Sequence, residues 1–265
     1  MASDAMVRDG SARGREGVPS GGFETLLSPL RVGGATLRNR VIFGPHGTGF
    51  ATDGTVADRL IAYHRERARG GVGLIVIEAT SIDDTPIGIS SSLGTLRNVD
   101  DAVLPGYRKL ASVLHDEGTR VFCLLSHSGR VNTMAPNGAP AKAPSPLPMD
   151  RTMDIPHELE VVEIETIVRQ FAAAARRCKE GGLDGVSLSF AHGNLAQSFI
   201  SPASNHRTDA YGGSEEKRLR YPREVLQACR AALDEGVEID ALLQQVAGCA
   251  SGNAWLEQRR AKVLL

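Results

Sequence analysis

The sequence predicts an α/β fold of TIM-barrel-type (β/α) repeats, truncated after about four units and followed by an irregular or helical tail. Three observations predict it. Strand-like apolar runs alternate with amphipathic helical stretches four times along the 265 residues, and such alternation implies a parallel sheet with right-handed crossovers. Val72 to Ala79 is an apolar run rich in Val and Ile, interrupted only by Glu78, the pattern of a strand buried on both faces. The run Gly185 to Phe190 leads to His192, and barrels of this kind place their chemistry at the carboxyl ends of the strands.

Taken in order, Leu30 to Arg40 carries Gly33-Gly34 between short apolar stretches, which predicts a small hairpin. Val41-Ile42-Phe43, closed by Gly44-Pro45, is the first strand of the repeat. Val56 to Arg69 spaces Leu60, Ile61 and Ala68 as a helix does, and Gly70-Gly71 stops it. Val72 to Ala79 is the second strand, and Asp101 to Glu117 a helix with Leu104, Tyr107, Leu110, Ala111 and Leu114 on one face. Arg120 to Leu125 is the third strand.

A long loop then runs from Ser126 to about His157, with five prolines between Pro136 and Pro148; a loop of that length in a compact domain is usually functional or disordered. Glu163 to Gly181 carries the clearest apolar stripe, Ile164, Ile167, Val168, Phe171, Ala172 and Ala175. Asp184 to Phe190 is the fourth strand and Ser214 to Gly236 a helix. Beyond Val237 no Val- or Ile-rich run stands where a fifth strand is expected; two weak helical stretches are read instead, Ile239 to Val246 and Ala254 to Leu264. The domain reading is a disordered arm over 1–22, a partial barrel over 23–236 and a divergent tail over 237–265.

Composition narrows the function classes. The net charge of -1 offers no basic field for nucleic acid. No apolar run approaches the ~20 residues that span a bilayer, and the Gly-, Ser- and Arg-rich start has no apolar core of a secretory signal. Cys123, Cys178, Cys229 and Cys249 form no C-x-x-C pair, which argues against a metal or iron–sulfur site and for a reducing, cytoplasmic setting.

Five strings point further: Leu37-Arg38-Asn39-Arg40-Val41 with Gly44-Pro45; Arg69-Gly70-Gly71-Val72-Gly73-Leu74-Ile75; Ser126-His127-Ser128-Gly129-Arg130; Gly185 to Leu195; and Asn205 to Ser214. Together, from about Phe23 to Leu233, the chain resembles the N-terminal half of the old yellow enzyme family, the FMN-dependent NADH:flavin oxidoreductases. That group includes 2,4-dienoyl-CoA reductases and trimethylamine dehydrogenase-like enzymes. The resemblance implies FMN across the carboxyl end of the barrel, NADH or NADPH as electron donor, and a small-molecule substrate. It assigns Pro45, His46 and Gly47 to the segment along the flavin ring, and Ala79 to the small residue that lets the ring approach the backbone. His192 takes the place of the second histidine of the substrate-binding pair. Arg207 and Tyr211 to Ser214 match a structural signature of the loop after strand four.

The chain departs from the family pattern at three of these positions. Leu124 stands where the family has a glutamine that bonds the flavin, and a leucine cannot. Ser189 replaces the first histidine of the pair, and a hydroxyl carries no positive charge. Asn194 replaces the tyrosine that delivers a proton, and an amide has no usable acidity. These departures disfavour ordinary enone reduction and favour amine oxidation or an altered substrate. A half barrel would leave edges at Val41 to Phe43 and Asp184 to Phe190, which a homo-oligomer or a complementing half-barrel chain would cover. The alternative reading is a catalytically inactive fragment or pseudoenzyme acting as a binding module.

Overall fold

The computed structural model describes residues 22–84, 94–131, 140–149, 154–233 and 238–242. The arm over 1–21 and the helical reading of Ala254 to Leu264 lie outside them. A single helical turn, α1 (Glu24–Leu27), and an antiparallel hairpin of β1 (Leu30–Val32) and β2 (Ala35–Leu37) precede the main sheet. That sheet has five parallel strands in the order β3 (Ile42–Phe43), β4 (Leu74–Ser81), β5 (Arg120–Ser126), β8 (Gly185–Ser189) and β9 (Glu238–Leu242). Neighbours in the sheet follow the chain order, as in a partial α/β barrel. A short parallel pair, β6 (Lys142–Ala143) and β7 (His157–Glu158), lies within the long Pro-rich connection.

The helices α2 (Asp58–Arg69), α3 (Leu104–Asp116), α4 (Val161–Glu180) and α7 (Arg220–Ala232) cover one face of the sheet. The strands alternate their side chains between two clusters. Ile75, Ile77, Val121, Cys123, Leu125, Val186 and Leu188 pack towards the helices with Tyr107, Leu110, Phe171 and Val225. Leu74, Val76, Phe122 and Leu124 pack on the other face, where Leu37 of the hairpin plugs the amino-terminal end. Helix α4 starts at Val161, earlier than its apolar stripe indicates, because Glu160 and Glu163 form a capping box. It ends where Gly182 takes φ +80, a conformation that costs a side-chain-bearing residue.

Three expectations are corrected. The fifth strand exists: Glu238–Leu242 pairs in parallel with Gly185–Ser189, Ser187 against Asp240. Its sequence alternates charged and apolar residues, so a test for a continuous Val- or Ile-rich run misses it, and the spacing of Ile239, Leu242 and Val246 imitates a helix. The sheet therefore reaches a fifth strand rather than stopping after four, the domain boundary at 237 cuts into it, and β9 takes the place of β8 as the outer strand. Second, a short helix α5 (Leu195–Ile200) lies within the stretch read as the loop after strand four. Third, the helix expected over Ser214 to Gly236 is broken at Leu219 into α6 (Glu215–Arg218) and α7. Pro222 has no N–H to bond the carbonyl four residues earlier.

Candidate functional site

The carboxyl ends of β4, β5 and β8 bring together most of the residues singled out from sequence. Strand β8 alternates: Val186 and Leu188 face the helices, so Ser187 and Ser189 face the interior. Ser187 pairs with Leu124, and Leu124 with Ala79, across three neighbouring strands. One step nearer the carboxyl end, Ser81 pairs with Ser126. Leu124 is buried and Ala79 half-buried, so the wall is small and apolar at one level and lined with hydroxyls above it. A bulge between Ile77 and Ala79 displaces Glu78 from the ladder.

Ser189 and Asn194 are in direct contact. The Asn194 Nδ2 donates to Ser189 Oγ at 2.8 Å and lies 3.4 Å from Ser126 Oγ. Two residues that sequence reading treats as separate departures thus form one polar unit. It is set up by a tight turn in which His192 has φ +58 and Gly193 φ +80. The Asn194 N–H bonds the Ala191 carbonyl at 3.0 Å, and the Leu195 N–H bonds the His127 carbonyl at 3.0 Å. The turn leaves the His192 side chain exposed at the rim. A left-handed histidine costs roughly 1–2 kcal/mol, so His192→Gly is expected to raise stability by about 1 kcal/mol while removing the imidazole. Thermal unfolding measured beside ligand binding reads both effects; an unchanged or lowered melting point would contradict the strain.

Pro45, His46 and Gly47 follow β3 at the same end of the sheet. Their peptide segment is pinned from below: Glu78 Oε2 accepts bonds from the Thr48 N–H at 2.7 Å and from its hydroxyl. A Cβ placed on Gly47 would meet no atom within 4 Å, so this stretch borders open space. The His46 ring is exposed too. Its Nε2 sits 2.7 Å from the Tyr63 hydroxyl on α2, and its ring packs edge-on against Phe43. Pro45 is half-buried, while His46 and Gly47 are exposed, with the His46 side chain tied to α2 through Tyr63.

His127, buried at the end of β5, accepts the Gly129 N–H on Nδ1 at 3.0 Å and places Nε2 3.3 Å from Asp83. It shapes the loop that supports Leu195. Arg207 is buried and structural. Its guanidinium meets Asp209 at 2.5 Å and donates to the Leu159 and Pro144 carbonyls at 2.6 and 3.2 Å. A separate cleft of about 330 Å³, lined by Leu37, Arg38, His115 and Arg120, opens at the amino-terminal end of the sheet. Arg38 there spends its donors on the Ala68, Val72 and Glu117 carbonyls, which is a structural use.

Sequence reading did not single out Ser187, Ser126 or Glu78 as site residues. Two of them keep unused bonding capacity: Ser187 Oγ and Glu78 Oε1 are buried and have no hydrogen-bond partner among the described residues. The alternation of serine with Val186 and Leu188 is the signal that could have found Ser187. A flat heteroaromatic ring fits this wall. Ala79 and Gly47 keep it shallow, Leu124 offers an apolar surface, and the Ser187 hydroxyl lacks a partner. Any phosphate held by later barrel strands lies outside the described residues. Among the described residues no cluster of potential metal ligands occurs, and no helix is long and apolar enough to cross a membrane.

Comparison with known proteins bears on the family and the fold. The model of the NADH:flavin oxidoreductase / NADH oxidase family matches residues 25–245. A metal reductase of Desulforamulus reducens is 41% identical over 208 residues, covering 78% of this chain and 30% of its own length. An NADH oxidase of Thermoanaerobacter brockii is 40% identical over 219 residues, covering 82% of this chain and 33% of the relative. The chain thus spans about a third of the curated relatives it matches. The structure of morphinone reductase in complex with tetrahydroNAD superposes with a TM-score of 0.75 at 32% identity, over 82% of this chain and 63% of that one.

Proposed function

The chain belongs to the NADH:flavin oxidoreductase / NADH oxidase family, whose members use FMN with NAD(P)H, and on that premise we propose that it is the flavin-binding part of an FMN-dependent oxidoreductase. The observation that carries the reading is the single interior face at the strand ends, on which Ala79, Leu124, Ser187 and Ser189 converge. Bound FMN would supply hydride acceptance and donation at its N5.

The chain's own residues divide the remaining work. Glu78, through Thr48, fixes the Pro45 to Gly47 backbone as one border. Ala79 keeps the wall low enough for close approach, and Leu124 excludes water without offering a hydrogen bond. Ser187 supplies a buried hydroxyl to a ring heteroatom. Ser189, held by Asn194, presents a hydroxyl to a small-molecule substrate. His192 stands at the mouth, where it can contact the same substrate.

The donor is tested by mixing the FMN-loaded chain anaerobically with NADH and with NADPH. Bleaching of the bound flavin by at least one of them is the expected result. Flavin that stays oxidised with both would favour the second reading, an inactive binding module, for which Leu124, Ser189 and Asn194 speak. β3 and β9 are the outer strands among the described residues. Their edges would be covered by residues after Leu242, by a second copy or by a complementing chain, and the size in solution separates these. A cytoplasmic location is part of the same proposal.

A further inference from the structure

The imidazole of His127 is buried just past the end of β5. Its Nδ1 accepts the Gly129 N–H at 3.0 Å. A ring nitrogen that accepts carries a lone pair, so the proton of the neutral ring belongs on Nε2. That nitrogen lies 3.3 Å from Oδ2 of the buried Asp83, beyond the end of β4. Lys142 of β6 brings its Nζ to 3.3 Å from the same oxygen. A carboxylate on the Nε2 side suits the same tautomer. The turn shaped by this ring touches the site mouth twice. Gly129 has φ +60, and a Cβ on it would lie 2.9 Å from the Leu195 N and Cα, so the two main chains meet directly. A Cβ on Gly193 would lie 3.2 Å from Val131 Cγ2. The Leu195 N–H also bonds the His127 carbonyl at 3.0 Å. Residues 127–131 therefore support both flanks of Asn194.

We infer that His127 is a positioning residue of the candidate site, acting as a neutral imidazole whose Nδ1 holds the Gly129 main chain against the start of α5 and so sets the mouth turn at His192 to Asn194. Without that acceptor the Gly129 N–H is left unpaired, and the turn loses the bond that holds it in its left-handed form. The contacts with the mouth are main-chain or apolar, so the ring acts through the shape of the turn and not through charge. The inference goes beyond the flavin-binding reading in its geometry and rests on it only where flavin reduction is read.

The test separates the two ring nitrogens. His127→Asn puts an amide oxygen near the Nδ1 position and nothing near Nε2, whereas His127→Gln puts an amide nitrogen near Nε2 and leaves the Nδ1 position empty. Hydrogen exchange over residues 190–200 of the full-length, FMN-loaded chain is followed by mass spectrometry. Flavin content and the NADH or NADPH concentration that gives half-maximal bleaching are measured on the same samples. Long-range proton–nitrogen NMR of labelled histidine at about pH 8 reads the tautomer. The expected wild-type ring carries its proton on Nε2. Glutamine should speed exchange over 190–200 by about tenfold and raise the half-saturating donor concentration by a similar factor, with flavin retained and the limiting rate within about twofold. Asparagine should stay within about twofold of wild type in every readout. Gly129→Ala, which leaves the ring in place and blocks the close approach, should reproduce the glutamine result. Equal effects of asparagine and glutamine, or a proton found on Nδ1, would overturn the inference. Faster exchange throughout the chain with flavin lost in step would also overturn it, because it marks a general loss of stability. A chain that holds no flavin, or flavin that neither donor bleaches, would overturn the flavin reading alone, since exchange and tautomer still decide the role of His127.

Discussion

Arg207→Ala is expected to destabilise the fold by about 2–4 kcal/mol, the scale of breaking a largely buried, hydrogen-bonded ion pair. The guanidinium joins three segments distant in sequence: Pro144 in the Pro-rich connection, Leu159 before α4, and Asp209 in the loop before α6. Alanine would leave the Asp209 carboxylate with the Tyr211 N–H but no cation, and would remove the guanidinium donor from two carbonyls. Lysine should recover less than half of the loss, because a point charge cannot reproduce the planar fork. Urea unfolding would show a lower midpoint at an unchanged slope, whereas a loss under about 1 kcal/mol would mean that the loop is held by other contacts. Arg207 also holds the Asp209 carboxyl below its usual range. A depressed carboxylate contributes stability above its unfolded value and loses it as pH falls through the folded one. The variant should therefore lose part of the acid-side slope below about pH 4.

The second large effect concerns His64 on α2. Both of its ring nitrogens are buried and without partners among the described residues. Burial first, and the nearby His46 and Arg67 after it, push its pKa down to about 4. The unfolded chain binds this proton near pH 6.5 while the native state does not, so stability falls with acidification across that window and levels off below pH 4. The wild type should lose about 2 kcal/mol between pH 7.5 and pH 5 from this group alone. His64→Leu should flatten that slope. It should also gain about 1–2 kcal/mol at neutral pH by removing two unsatisfied polar atoms. Parallel urea titrations at the two pH values check this, and equal slopes for wild type and variant would show that the imidazole has found a partner.

The sequence made the repeat legible where one signal dominates. Strands β4 and β5 are buried on both faces, and Leu74 to Ile77 and Val121 to Leu125 read as unbroken apolar runs. Helix α4 shows a clean stripe, and the Gly70-Gly71 and Gly181-Gly182 pairs end their helices. Legibility failed where signals compete. In β9, Glu238 and Asp240 interrupt the apolar run, and only pairing with β8 makes a strand of it. In the region of α6 and α7 the charge pattern suits one helix, but Pro222 divides it.

The candidate site was half legible. Ala79, Leu124, Ser189 and Asn194 were named from resemblance, and the structure places them at the strand ends. The bond between Ser189 and Asn194 was not legible, because five residues of spacing do not bring two side chains together without the left-handed turn at His192 and Gly193. Nor was the orientation of His46, which depends on Tyr63 from another element.

The visible absorption spectrum of the purified, desalted chain, before and after adding FMN and read with its size in solution, tests the central claim most directly. The account predicts a retained flavin spectrum, or uptake to about one FMN per closed assembly. A colourless protein that takes up no added FMN would contradict it, and would leave the converging face at the strand ends without a flavin to hold.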